Sequence, residues 1–146
     1  MNLQPMNNFT IVEPDRDLAE TVFYKLKDEG FDGVFLEPDA ALMQMYVRER
    51  ADSIVIKAMI SRAPVRELEG IEVPTLEKIL VDLFCDEIVF SAFTGDELIN
   101  IYAHALKRYS VDFSRLFNYA RRRRRDKKLR AFMSSHFEYP AIELAI

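Results

Sequence analysis

Residues 119–132 read "YARRRRRDKKLRAF", and positions 121–128 contain no hydrophobic side chain. An α-helix completes a turn in about 3.6 residues, so such a gap spans more than two turns and no buried stripe can cross it. The chain must therefore break or turn there. The expected geometry is a break near Arg125, with Asp126 capping a last helix that buries Leu129, Phe132 and Met133. The five arginines then stand at a helix end and a helix–helix corner, outside the core.

The run is at odds with the rest of the chain, whose 146 residues carry a net charge of -4. Residues 104–136 hold eleven basic side chains against two acidic ones, and the remaining positions hold nine against twenty-two. That asymmetry describes a basic end on an acidic body. Eleven Phe, six Tyr and a 49% hydrophobic content suffice for a core, which excludes wholesale disorder. No apolar run is long enough to span a membrane, and "MNLQPMNNFTIV" lacks a signal-peptide layout. Cys85 is the only cysteine and sits in "LVDLFC" at core spacing, which fits a small hydrophobe in a reducing compartment. A cytoplasmic location is expected.

Residues 1–73 alternate strand-like and helix-like stretches. "FTIV" (9–12) and "GVFL" (33–36) read as short strands, and "SIVIKAMI" (53–60) as the middle of a sheet because its apolar run implies cover on both faces. Leu18, Val22, Phe23 and Leu26 mark a helix closed by Gly30, and Pro38-Asp39 open a shorter one. "VRELEGIEV" (65–73) reads as two edge strands turning at Glu69-Gly70.

From Pro74 onward the pattern is helical. Thr75 caps a helix with the stripe Leu76, Ile79, Leu80, Leu83 and Phe84. "TGDE" (94–97) forms a capping box ahead of Leu98, Ile101, Tyr102, Ala105 and Tyr109. Asp112 caps a third helix carrying Phe113, Leu116, Phe117 and Ala120. With no linker and no repeat, the expectation is one α+β domain over 1–146. A small mixed β-sheet with two helices forms its first half, and a cap of three to four helices (74–146) its second.

Catalytic signatures are absent from the sequence. His104 and His136 have no Cys, His or paired acid at ligand spacing, so neither a catalytic residue nor a metal ligand is assigned, and no cofactor is expected. "EPD" recurs at 13–15 and 37–39, each time after a strand and before a helix, where capping accounts for both copies. Ser61-Arg62 and Ser134-Ser135-His136 fall in turn-like stretches without a catalytic pattern.

"GIEVPTLEKILVDLF" (70–84) resembles a segment of the AbiEi-like antitoxins and transcriptional regulators. The matching residues are Pro74, Thr75, Glu77, Lys78, Leu80, Asp82 and Leu83. The resemblance covers about residues 53–133, and the whole chain is similar to a group of bacterial proteins akin to those antitoxins. It implies a non-enzymatic domain of a type IV toxin–antitoxin system whose paired toxin is a nucleotidyltransferase. In that family an N-terminal winged helix binds the operator. Here no room for one precedes Phe9, so the expectation is the C-terminal domain alone, and Lys78 stands where the family more often has arginine. Asp82 lies off the apolar stripe and is expected to bond a neighbouring element.

Adjacent arginines repel one another and gain from a polyanion, whose phosphate contacts release counterions. Arg121, Arg122, Arg123, Arg124, Arg125, Lys127 and Lys128 are therefore the expected polyanion surface, contacting nucleic-acid backbone without reading bases. Two other readings stay open: a protein-interaction module docking through its acidic half or basic helix on an acidic protein, and a small enzyme with an unrecognised site.

Overall fold

The computed structural model describes residues 9–91 and 93–138. The opening eight residues, on which the signal-peptide and winged-helix expectations bear, lie outside them. The fold is α+β with a helical C-terminal region. Two compact units divide between Ile60 and Ser61, ahead of the change in composition at Pro74.

In the first unit, β3 (Ser53–Ile56) lies between β1 (Phe9–Val12) and β2 (Val34–Leu36), and all three strands are parallel. Its central place explains the apolar run, with Val55 and Ile56 fully buried. Parallel neighbours need crossover connections, and α1 (Ala19–Asp28) supplies the first. Its Ala19, Val22, Phe23 and Leu26 pack on Val34, Leu36, Ile54 and Ile56. Leu18 precedes α1 in a 3-10 turn and is exposed, so the buried stripe begins one residue later than its spacing suggested. Gly30 (φ 94°) takes the left-handed position after α1. Its N–H donates to the Lys27 carbonyl and that of Phe31 to the Leu26 carbonyl, closing the helix in a Schellman motif.

The two "EPD" copies behave differently. Asp39 caps α2 (Ala40–Leu42), accepting from the Leu42 N–H at 2.8 Å, and the helix runs on as a π-helical turn, Met43–Val47. Asp15 makes no such side-chain cap. Glu37 instead accepts from the Ala58 N–H at 2.6 Å, tying the end of β2 to the segment after β3.

In the second unit, β4 (Val65–Leu68) and β5 (Ile71–Pro74) form a two-stranded antiparallel sheet of their own, separate from the edges of the parallel sheet. Glu69 (φ 51°) and Gly70 (φ 80°) make the turn between them, and positive φ at both central residues suits the twist of a hairpin.

Among the described residues four helices follow: α3 (Leu76–Cys85), α4 (Asp96–Arg108), α5 (Phe113–Arg122) and α6 (Asp126–His136). Thr75 and Asp112 cap α3 and α5 as expected, accepting from the Lys78 and Arg115 N–H groups at 3.3 and 3.0 Å. The box at Thr94 does not form. Gly95 (φ 60°, ψ −127°) takes the N-cap position of α4 in a conformation that L side chains avoid, one residue past the expected cap. Asp126 likewise starts α6 from inside, with Arg125 at the N-cap.

The buried face of α3 is rotated from the expected stripe. Leu80 and Val81 are buried together with Glu77 and Lys78, while Ile79 is 42% exposed. The cause is the packing partner, because α5 meets α3 with polar side chains. Tyr109, assigned to the apolar face of α4, is exposed, and Leu106 is buried there instead. Phe132 of α6 lies 5.4 Å from the Phe84 ring and 5.2 Å from that of Tyr102, edge-on to the latter. The Tyr102 hydroxyl donates to the Leu80 carbonyl, joining α4 to α3.

Thr75 both caps α3 and donates its hydroxyl to the Pro64 carbonyl at 3.0 Å. Thr75→Ala is expected to destabilise this unit by about 1–2 kcal/mol, read from the urea midpoint of helix loss by circular dichroism.

Candidate polyanion interface

Residues 115, 119 and 123 of the α5 segment recur at steps of four and share the face turned to α3. Arg115 Nη1 approaches Glu77 Oε1 at 3.4 Å, and the Tyr119 hydroxyl donates to Asp82 Oδ1 at 2.6 Å. Arg123 Nη1 donates to the same oxygen at 2.5 Å, and Lys78 Nζ to Asp82 Oδ2 at 2.6 Å. Asp82 thus bonds a neighbouring helix, as its place off the stripe implied. Lys78 is 1% exposed, and its buried ammonium pairs with that carboxylate.

Burial pushes the Tyr119 hydroxyl well above the usual phenol range, and the charge of Asp82 adds to the effect. For Arg123, burial pulls the guanidinium down, but interaction with Tyr119 and the Asp82 charge outweigh it and raise it. Burial also raises the Cys85 thiol, against an opposing pull from Arg123. A thiol held neutral in this way is a poor nucleophile at neutral pH.

The arginine run therefore divides. Arg123 is directed inward and half-buried, with its side chain only 17% exposed, so it does not share the outward role expected of all five. Arg121, Arg122, Arg124, Arg125, Lys127 and Lys128 are exposed. After Arg123 the chain turns sharply. The Arg124 N–H donates to the Arg121 carbonyl and that of Arg125 to the Ala120 carbonyl, both at 2.9 Å. This is a second Schellman motif, with Arg124 (φ 57°) in the position glycine usually fills.

Arg121 comes within 3.9 Å of Asp126. Arg122 donates from Nε to the Ser61 carbonyl at 2.7 Å and from Nη2 to the Ser61 hydroxyl at 2.6 Å. Arg124, Arg125, Lys127 and Lys128 form no ion pair with a carboxylate among the described residues. Arg125, Lys127 and Lys128 also sit at the N-terminal end of α6, the end whose dipole repels cations.

Beside α5 lies a hollow of about 580 Å³, lined by Arg62, Arg115, Arg121 and Arg122. Arg62 and Arg115 were not gathered to the basic surface in the sequence, and no local pattern joins position 62 to the 115–122 helix. Ser61-Arg62 forms a turn, as its sequence implied. Ser134-Ser135-His136 is helical, not a turn: it ends α6, where the Ser135 hydroxyl donates to the Ala131 carbonyl. His136 lies against Phe132, and His104 is exposed. No group of three His, Cys, Asp or Glu among the described residues could hold a metal ion. No helix among them is long and apolar enough to cross a membrane.

The pattern of a family described as "Family of unknown function (DUF6577)" matches residues 1–139. The chain belongs to the DUF6577 family. The match takes in the hairpin, all four C-terminal helices and the basic corner. No curated protein and no solved structure matches the chain.

Two outcomes follow from the α3–α5 seam of this DUF6577 chain. Asp82→Ala removes the carboxylate that accepts from Lys78, Tyr119 and Arg123 at once, and is expected to cost about 3–5 kcal/mol in urea unfolding. Cys85, Tyr102 and Tyr119 are neutral when protonated, and each is raised in the fold. The unfolded chain therefore loses these protons first, as pH rises through the ordinary values of 9.0 and 10.0. Stability is expected to be flat near neutrality and to fall above that window, and to fall less steeply in Tyr119→Phe.

Proposed function

We propose that this chain is a non-enzymatic, cytoplasmic regulatory module, akin to the C-terminal domain of an AbiEi-type antitoxin. In this proposal the basic corner contacts the phosphate backbone of nucleic acid, in the setting of a locus that also encodes a nucleotidyltransferase toxin. Arg121, Arg122, Arg124, Arg125, Lys127 and Lys128 supply the contacts, and Arg123 anchors the corner from inside.

The supporting observation is that the corner is locally unfavourable in three ways at once. Arg124 holds a left-handed backbone, which costs about 1–2 kcal/mol in a residue with a Cβ. Cations crowd the positive end of α6. Four of them have no carboxylate to offset their repulsion among the described residues. A polyanion removes the last two costs together, because it neutralises the cations and releases its own counterions. The corner offers guanidinium and ammonium groups and no aromatic face directed outward, which suits phosphate contact over base reading.

Fluorescence anisotropy with a generic duplex of roughly twenty base pairs, at two salt concentrations, tests the proposal. Binding is expected at low salt and to weaken with added salt. Reversing Arg124, Arg125, Lys127 and Lys128 to Glu is expected to reduce the affinity at least tenfold and the log–log salt slope by about 3–4. Absence of binding at low salt, or a reversed variant that binds equally well with an unchanged circular dichroism spectrum, refutes it.

A further inference from the structure

The hollow beside α5 shares Arg121 and Arg122 with the outer corner but adds Arg62 and Arg115 and excludes Arg124, Arg125, Lys127 and Lys128. One wall is the exposed side of α5, where Arg115, Asn118 and Arg121 with Arg122 follow at steps of three and four. The opposite wall is the turn carrying Arg62, whose backbone is left-handed (φ 59°). Four guanidiniums thus line the hollow with one acidic side chain, Asp112, which already accepts the Arg115 N–H; Glu77 and Asp126 approach Arg115 and Arg121 from outside the lining.

Two of the four are held in place, one by an uncharged partner and one by a single carboxylate contact. Arg122 gives Nε and one Nη2 proton to Ser61, an uncharged partner, and keeps its remaining donors for a ligand. Arg115 is steadied by Glu77 at 3.4 Å while its side chain remains 51% exposed. The volume lies within the range of about 300–1,000 Å³ typical of small-ligand sites. No base-stacking platform is available, because Tyr119 is 2% exposed and its hydroxyl is engaged by Asp82.

From these features we infer that the hollow is a seat for an oligophosphate: two or three linked phosphoryl groups, either as a free inorganic chain or as the tail of a nucleotide. The guanidinium fork pairs two N–H donors with two phosphoryl oxygens, which an isolated ammonium cannot do. Length separates oligophosphate from orthophosphate. Seven residues part Arg115 from Arg122, about 10 Å along the helix axis, whereas a charge-assisted hydrogen bond spans about 2.7–2.9 Å. Each of the two guanidiniums is held by its own partner, Glu77 or Ser61, so a short chain of phosphoryl groups can reach both without drawing either from its anchor. The site recognises phosphate and leaves any nucleoside in solvent.

Isothermal titration of the full chain with inorganic triphosphate, ATP, orthophosphate and citrate tests this inference. Triphosphate and ATP are expected to bind within about threefold of each other, and at least tenfold more tightly than orthophosphate or citrate. Arg62→Gln and Arg115→Gln, singly, each weaken triphosphate binding, and together by at least tenfold. Lys127→Gln with Lys128→Gln leaves it unchanged. Arg62 is exposed, so its single variant reports on the site without touching the α3–α5 seam. No heat with triphosphate at about 1 mM, equal binding of citrate, or binding of ATP alone overturns the inference. Failure of the duplex experiment with triphosphate binding intact contradicts only the proposed function, and the reverse pattern contradicts only this site.

Discussion

At the seam between α3 and α5, one carboxylate accepts from an ammonium, a phenol and a guanidinium. Two of these donors, Tyr119 and Arg123, fix the rotation of α5 about its own axis, since both must face α3 to reach Asp82. The remaining faces follow from that rotation. Arg122 and Asn118 turn to the hollow, and the chain leaves α5 with Arg124 and Arg125 directed outward. Leu116, Phe117 and Ala120 are buried alongside, so the polar bonds select an orientation that apolar packing stabilises. A buried ion pair adds little net stability over a well-packed apolar pair, yet it is costly to break. Its contribution here is geometric.

That geometry explains why a run of like charges is tolerated in a compact unit. Of five consecutive arginines, one is drawn in, one is steadied by Ser61 and one approaches Asp126; the other two remain in solvent. Arg130, beyond the run, stacks over the Phe117 ring at 3.9 Å and belongs with the core. The basic segment is thus both structure and surface, with the division set residue by residue according to which helix face each side chain occupies.

Much of the architecture was legible in the sequence. The eight-position apolar gap placed the break after α5, and turn residues placed the hairpin at Glu69-Gly70 and the end of α1 at Gly30. What failed did so for tertiary reasons. Ile79 belongs to a helical stripe by spacing but is exposed, because α3 presents Glu77 and Lys78 to α5. Gly95 displaced the cap from Thr94 through a backbone conformation that composition does not specify. At the site, the match of positions 115, 119 and 123 with 77 and 82 was available as a four-residue rhythm of polar residues. The convergence of Arg62 on α5 was not, since it arises from a turn far away in the chain.

The division of labour within the arginine run can be observed through the side-chain Nε–Hε resonances of the arginines during titration with a short duplex. Arg124 and Arg125 should shift with a salt-sensitive dependence, while Arg123, bound to Asp82, keeps its position throughout. If the outer arginines stay fixed as duplex is added, or if Arg123 moves most, then an inward anchor does not present an outward polyanion surface.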